Sequence, residues 1–293
     1  MVEKRTIGSI LFDIFNVVIL VLLSFGCLYP ILYVLFASMS DPSEISRTAG
    51  LLFYPKGFQL EAYKAVFSNN DIVSGYLNTL FYVVVGTSLN MVLTVFGAYV
   101  LSRKEFKLRN ILMFYITITM FVNGGLVPSY LLIKNLGILN TRFAILLSGA
   151  INVFNLIMTR TYFSTIPSGL EEAAKIDGAG HWRILYSVML PLSTPILAVI
   201  GLYYLVGHWN SWFNAMIYLS DRDTWPLQLI LREILILNES GSMMQNAVTI
   251  DKLPIAENIK YAVIIVATVP ILCVYPFLQK YFAKGVMVGA IKG

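Results

Sequence analysis

The sequence predicts an all-α, polytopic membrane protein with six transmembrane helices. Three observations carry that expectation. The 293-residue chain is 57% hydrophobic, with a mean hydropathy of +0.74. Only 13% of its residues are charged, against about 25% in soluble domains. Its apolar residues come in long runs rather than in strand-like alternation, and the backbone inside a bilayer is satisfied only by helices or closed barrels.

A helix needs roughly 20 apolar residues to cross the hydrocarbon core. Segments at about 14–39, 76–101, 111–133, 143–162, 189–219 and 260–281 meet that length. They predict one transmembrane domain over 1–293. Lys4 and Arg5 precede the first run, which far exceeds the 7–15 apolar residues or so of a cleaved signal, so it is expected to be a retained span. Pro128 is expected to end or kink the third span, and Pro195 and Pro270 to kink the fifth and sixth. The opposite-side connections are 40–75 and 220–258, the second containing the polar run Asn238–Gln245.

Basic residues set the orientation. The termini and the connections near 103–109 and 160–183 hold twelve Lys and Arg, and the other connections hold seven over longer loops. The richer side is expected to be cytoplasmic, with both termini there. The net charge of +5 is explained by this asymmetry, so nucleic acid is not an expected partner, whereas membrane lipid is. Cys27 and Cys273 lie deep in apolar segments and fit neither a metal site nor a disulfide framework.

Apart from His208, no Asp, Glu, Lys, Arg or His falls well inside a span. Ion-coupled transporters place such groups at mid-membrane, so a secondary transporter or channel for a neutral polar solute is the weaker alternative. No phosphate-binding loop, HExxH motif or nucleophile elbow is present. No catalytic residue, metal site or bound cofactor is expected, and a membrane-embedded enzyme lacks its constellation. If ATP drives transport, other subunits hydrolyse it.

The connection 166–191 has its own design. Ser168 followed by Glu171 predicts a capping box and a helix start. Glu171 and Glu172 suit the positive end of the helix dipole. Gly178 and Gly180 end that helix, a second short helix is expected from His181 to about Val188, and Pro191 is expected to open the next span. Ala173 and Ala174 leave one face small, so that a partner backbone can approach. Glu172 can offer a carboxylate to a cationic partner, and Leu170, Ile184 and Leu185 can supply apolar contact. A helix lying on lipid would instead carry Lys and Arg beside bulky apolar groups.

Glu172-Ala173-Ala174, then Gly178, then Leu190-Pro191, with Ile176-Asp177-Gly178-Ala179 between, resembles the EAA loop of ABC importer permeases, placed before the penultimate span. Asn123–Tyr130, Gly207–Asn214 and the tail Gly285–Gly293 resemble the carbohydrate-uptake branch, the maltose-type and Gram-positive oligo- or polysaccharide-type permeases. The similarity covers nearly the whole chain. It implies the type I importer permease fold in a bacterial cytoplasmic membrane. The implied partners are a second permease subunit, expected to be a different chain, two ATPase subunits using ATP and Mg, and an external solute-binding protein. It also implies ATPase docking by Glu171, Glu172, Ala173, Ala174, Asp177 and Gly178, with Glu172 paired to a basic residue and Gly178 making the turn. The tail after Lys284 would lie on the ATPases, and 220–258 would meet the binding protein.

The cargo implied is an oligosaccharide or polysaccharide-derived sugar. Sugars are held by aromatic faces and hydrogen bonds. Tyr203, Gly207, Asn210 and Asn214 fall at spacings of three and four, one face of a helix. Trp209 lies near its end, where an aromatic belt at the membrane surface competes as an explanation. Asn78 and Tyr82 are further pathway candidates, with Asn90, Asn152 and Asn155 weaker ones. His208 can bridge helices or touch cargo.

Overall fold

The computed structural model describes residues 7–47, 50–244, 258–274 and 276. Its elements are helical, with no strand among the described residues: α1 (Ile7–Ser38), α2 (Pro42–Arg47), α3 (Glu61–Ser68), α4 (Asn70–Ser102), α5 (Arg109–Ile118), α6 (Leu126–Asn135), α7 (Arg142–Leu147), α8 (Val153–Thr165), α9 (Ser168–Ile176), α10 (His181–Leu192), α11 (Thr194–Trp209), α12 (Phe213–Tyr218), α13 (Leu227–Met244) and α14 (Asn258–Val274). The chain divides into two compact units: 1–69 with 233–268, and 70–232 with 269–293.

In the first unit, α1 is a 32-residue helix whose most apolar stretch is not covered by the other described residues. Phe15 and Leu22 are 64% and 66% exposed, as suits a helix whose solvent is lipid. The segment 39–60 folds back on its end. Asp41 N donates to Lys56 O at 2.8 Å and Gln59 N to Met39 O at 3.0 Å. Asn258 Nδ2 donates to Ser40 O at 2.6 Å.

The second unit is organised around α4. Its first half packs on a cluster containing Ile133, Ile145, Tyr218 and Leu229. Its second half packs on one containing Leu156, Phe163, Ile184 and Leu185. A π-turn at Tyr82–Gly86 separates the halves, and another at Leu185–Met189 interrupts α10.

The helix runs differ from the expected spans in specific places. α1 and α4 are each long and apolar enough to cross a bilayer alone, and α4 starts at Asn70, before the expected 76. The run 111–133 is two helices, α5 and α6, parted by 119–125. There Gly125 adopts φ +86° and donates its N–H to Asn123 Oδ1 at 2.9 Å, a turn that ends helical bonding. Pro128 therefore lies in the first turn of α6 rather than ending a helix, a place where its missing N–H costs little. The run 143–162 is α7 and α8, parted by 148–152. Asn152 caps α8 by accepting from Asn155 N at 3.1 Å.

The fifth run also breaks. α10 continues through Pro191 to Leu192, and the chain then bends by 84° into α11. Pro191 is thus inside a helix, and the break is at Ser193, with Pro195 in the opening turn of α11. Of the sixth run, α14 carries Pro270 within a helix that extends to Val274. Positions 277–281, the tail Gly285–Gly293 and the side chains of Asn238–Gln245 lie outside the described residues.

Candidate functional site: an exposed knob and a polar cleft

α9 and α10 form the knob. α9 ends in a Schellman turn: Ala179 N donates to Ala174 O at 2.9 Å and Gly178 N to Lys175 O at 3.0 Å. Gly178 has φ +75°, a backbone region in which a Cβ is strained. Gly180 then precedes α10 in an extended conformation. The sharp turn expected between two helices is therefore built by Gly178, as its position suggests.

The capping box does not form. Pro167 precedes the helix, Ser168 is its first residue, and no side chain caps it. Glu171 forms an ion pair with Arg103, with side chains 16% and 12% exposed. Its carboxylate is therefore turned to the chain itself. Arg103 in turn lies over the Tyr99 ring at 4.5 Å. A second pair joins Lys175 Nζ to Glu105 Oε1 at 2.5 Å. The Lys175 hydrogen bond pulls the Glu105 carboxyl below its ordinary range, and the same bond raises Lys175. Together the two pairs clasp α9 to the 103–105 turn after α4.

Glu172, Ala173, Asp177 and Gly178 remain exposed, and Ala174 is half-buried. Leu170 and Ile176 are 45% and 87% exposed. Ile184 and Leu185 are 1% exposed, within the chain's own core. They supply no outward contact, because α10 continues as a packed helix where a short surface helix was expected.

The second place is a cleft of about 380 Å³ beside the break 148–152, lined by Tyr203, Gly207, His208, Asn214, Asn152 and Asn155 among others. Asn210 is not among its walls. It sits in the turn after α11, its N–H bonded to Val206 O at 3.0 Å, because the helix ends at Trp209. Trp209 is 5% exposed, edge-on to Tyr76 with ring centres 6.1 Å apart, so it is core rather than pathway or belt.

Asn78 and Tyr82 are buried for another reason. Asn78 Nδ2 donates to Asp223 O at 2.6 Å and Trp225 O at 3.1 Å. Its Oδ1 accepts from Arg142 at 2.8 Å. Tyr82 donates to Thr224 O at 2.8 Å. Both fix the 223–225 turn against α4, and neither lines the cleft.

The cleft's frame comes from residues the sequence hardly distinguishes. Gly86, Asn90 and Thr94 lie four apart on α4 and share a face. Asn90 Nδ2 donates to Gly149 O at 2.8 Å and to Ala150 O at 2.7 Å. These carbonyls follow α7 and have no helical partner to accept from. Asn90 Oδ1 and His208 Nε2 are 2.6 Å apart. The Thr94 and Tyr204 hydroxyls are 2.7 Å apart, and Tyr204 accepts from Asn152 N at 3.0 Å. A Cβ on Gly86 would sit 2.5 Å from Cε1 and Nε2 of His208, so a larger residue there would displace the imidazole. Both ends of the break are thus hydrogen-bonded, which is what allows irregular backbone inside a membrane protein. A stripe of small and polar residues in an otherwise apolar helix was the available signal. It does not name its partners.

The matching family model, the inner membrane component of binding-protein-dependent transport systems, covers residues 90–288. Among curated relatives, protein LplC of Bacillus subtilis strain 168 is 41% identical over 96% of this chain and 95% of its own. YtcP, the polygalacturonan/rhamnogalacturonan transport system permease protein of the same strain, is 40% identical over 97% and 99%. Among solved structures, a chain of a bacterial ABC transporter involved in importing the acidic polysaccharide alginate superposes with a TM-score of 0.86 at 33% identity, covering 96% of this chain and 99% of that one. The chain therefore belongs to the inner membrane components of binding-protein-dependent transport systems, the ABC importer permeases.

Proposed function

We infer that this chain is a permease subunit of an ATP-driven importer for an oligosaccharide or a polysaccharide-derived sugar. The observation that carries the docking half is the knob: α9, clasped to the 103–105 turn by two ion pairs and joined to α10 through the Gly178 turn, leaves Glu172 and the small surface of Ala173 outward. Such an element moves as a unit. Two ATPase subunits using ATP and Mg would engage it, with Glu172 meeting a basic side chain. This chain would bind no cofactor and carry out no catalysis.

The sugar half is supported by the relatives' transport of polygalacturonan or rhamnogalacturonan and of alginate. A related solved structure holds an alginate pentasaccharide-bound periplasmic protein, which favours an external binding protein as delivery partner, meeting the chain at 220–258. A second, unlike permease chain would complete the pathway. Six spans with both termini cytoplasmic fit the Lys and Arg distribution, with α5–α6, α7–α8 and α11–α12 as broken spans. Discontinuous helices around a polar cleft are how many transporters build a pathway, and Tyr203, Gly207 and Asn214 stand on its wall.

The test is a purified complex of both permeases and the ATPases. Glu172→Lys is expected to lower hydrolysis stimulated by sugar-loaded binding protein at least tenfold while membrane insertion is unchanged. Wild-type stimulation in that variant would refute the docking assignment. Tyr203→Ala and Asn214→Ala are expected to lower uptake without changing assembly.

A further inference from the structure

We propose that the cavity behind the knob is a binding site for a phosphate group, carried by a membrane lipid or by a free phosphate ester, and that three cations without carboxylate partners hold it. The site stands apart from the cleft and does not depend on the cargo.

The cavity has about 560 Å³ and lies between the 102–109 turn, the end of α8 and the opening turn of α9. Five Lys or Arg and three Glu line it. The two ion pairs of the clasp, Arg103–Glu171 and Lys175–Glu105, stand on its wall and neutralise each other. What is left is Lys104, Arg109 and Arg160 against Glu172 alone. Among the described residues, the side chains of Lys104 and Arg109 make no hydrogen bond or ion pair. Arg160 commits only its Nε, which donates to Leu101 O at 3.3 Å, so its terminal nitrogens are unbonded there. Arg109 and Arg160 are half-buried. Like charges gathered in one recess repel, and they are screened less where protein partly covers them. A bound anion relieves that repulsion.

Charge alone would also suit a carboxylate, but three features favour phosphate. The cations come from separate elements: Lys104 from the turn after α4, Arg109 from the start of α5 and Arg160 from α8. Donors therefore reach the space from more than one wall, which suits a group with oxygens on several sides. Two of them are guanidinium groups, whose paired N–H donors match phosphate oxygens. The opening turn of α9 also lines the cavity, and no side chain caps it, so its free N–H groups add to an anion site that the cations already define. The space is many times the ~30 Å³ of one water in the liquid. It therefore holds the polar body attached to the phosphate as well, such as the glycerol of a headgroup or a small ester. Glu172 is the unpaired carboxylate on the same wall. An anion in the cavity occupies the cations that would otherwise draw Glu172 inward, and leaves it facing outward.

The complete permease–ATPase complex would be tested, its ATPase sites filled with ADP and Mg so that they take no added phosphate. Inorganic phosphate and glycerol 3-phosphate would be titrated in neutral detergent by calorimetry, with potassium chloride holding the ionic strength. Retention of phosphatidylglycerol against phosphatidylcholine would be read by native mass spectrometry. Lys104→Gln and Arg183→Gln each remove one exposed cation, the first from the cavity and the second from α10 outside its lining. Affinity for the probe that binds should fall at least fivefold in Lys104→Gln and in Arg109→Gln, and change less than twofold in Arg183→Gln. Binding of the free anions would assign the site to a phosphate ester, and retention of phosphatidylglycerol alone would assign it to lipid; either supports the site. Equal losses in Lys104→Gln and Arg183→Gln would reduce it to diffuse surface charge and overturn it, as would no binding by any probe. Loss of ATPase subunits from the Lys104→Gln complex without added phosphate would mean that an acidic side chain of the ATPase fills the cavity, and would overturn it too.

Discussion

The knob and the cleft belong to one unit and are held together in opposite ways. The knob is clasped by charges. Of its two pairs, Glu171 and Arg103 are 16% and 12% exposed, while Glu105 and Lys175 are 67% and 39% exposed, where water and salt screen their attraction. The cleft is framed by neutral groups, of which Asn90 and Thr94 are 0% exposed, and each of them has a partner. An exposed pair adjusts cheaply to a partner's arrival. A buried polar network is costly to open, since each stranded group costs about 1–3 kcal/mol. The contrast suits the two tasks: the knob must engage and transmit, and the cleft wall must keep its shape while cargo passes.

Breaking the buried network should have the largest effect. Asn90→Leu strands two carbonyls and the His208 Nε2–H. It should cost at least ~3 kcal/mol, visible as a much lower melting temperature of the detergent-solubilised complex. An unchanged melt would erase the distinction. Gly86→Ala forces the His208 ring aside and should cost about 1–3 kcal/mol by overpacking, set against the better helix propensity of Ala. A neutral result would mean the ring yields freely. Thr94→Val removes one hydrogen bond to Tyr204 and should cost about 1 kcal/mol, seen in the same melt.

The smallest effect is expected at the clasp. Glu105→Gln should leave the melt unchanged and reduce the salt dependence of ATPase stimulation, the remainder coming from Glu171–Arg103 and from the proposed Glu172 contact. The pH window follows from the shifts. The Glu105 carboxyl is held below its ordinary value of 4.5, so its contribution is present above that value and lost as pH falls through the lower, folded one. Lys175 is raised above 10.5, so its contribution is lost only as pH rises through that higher value. Stimulation should be insensitive to this pair between those limits, and a step near neutral pH would point to another group.

The same contrast governs what the sequence discloses. The knob is local: Glu172, Ala173, Ala174 and Gly178 stand within one short stretch, and the turn at Gly178 is legible from a glycine after an apolar helix. The partner of Glu171 is not, because Arg103 comes from the end of α4 and competes with capping. The breaks at 119–125 and 148–152 were signalled by Asn-Gly-Gly and Ser-Gly-Ala, yet a mean over 20 apolar residues hides such short interruptions. Asn78 and Tyr82 looked like pathway residues because polarity inside a span reads alike whether it faces cargo or a loop carbonyl. Asn90 and His208 meet only through the fold.

The π-turn at Tyr82–Gly86 has a consequence for α4 as a whole. Asn78, Tyr82, Gly86, Asn90 and Thr94 follow one another at steps of four. On a regular α-helix each such step overshoots a 3.6-residue turn by about 40°, so the row would spiral away from its partners. The wider π-turn takes up an extra residue and turns part of that drift back. The helix is therefore phased as well as long. Removing one residue between 82 and 86 would leave it able to cross a bilayer, but would rotate the 86–94 edge by about 100° relative to the 78–82 edge. A deletion invisible to hydropathy would then separate the groove that seats His208 from the edge that anchors the 223–225 turn.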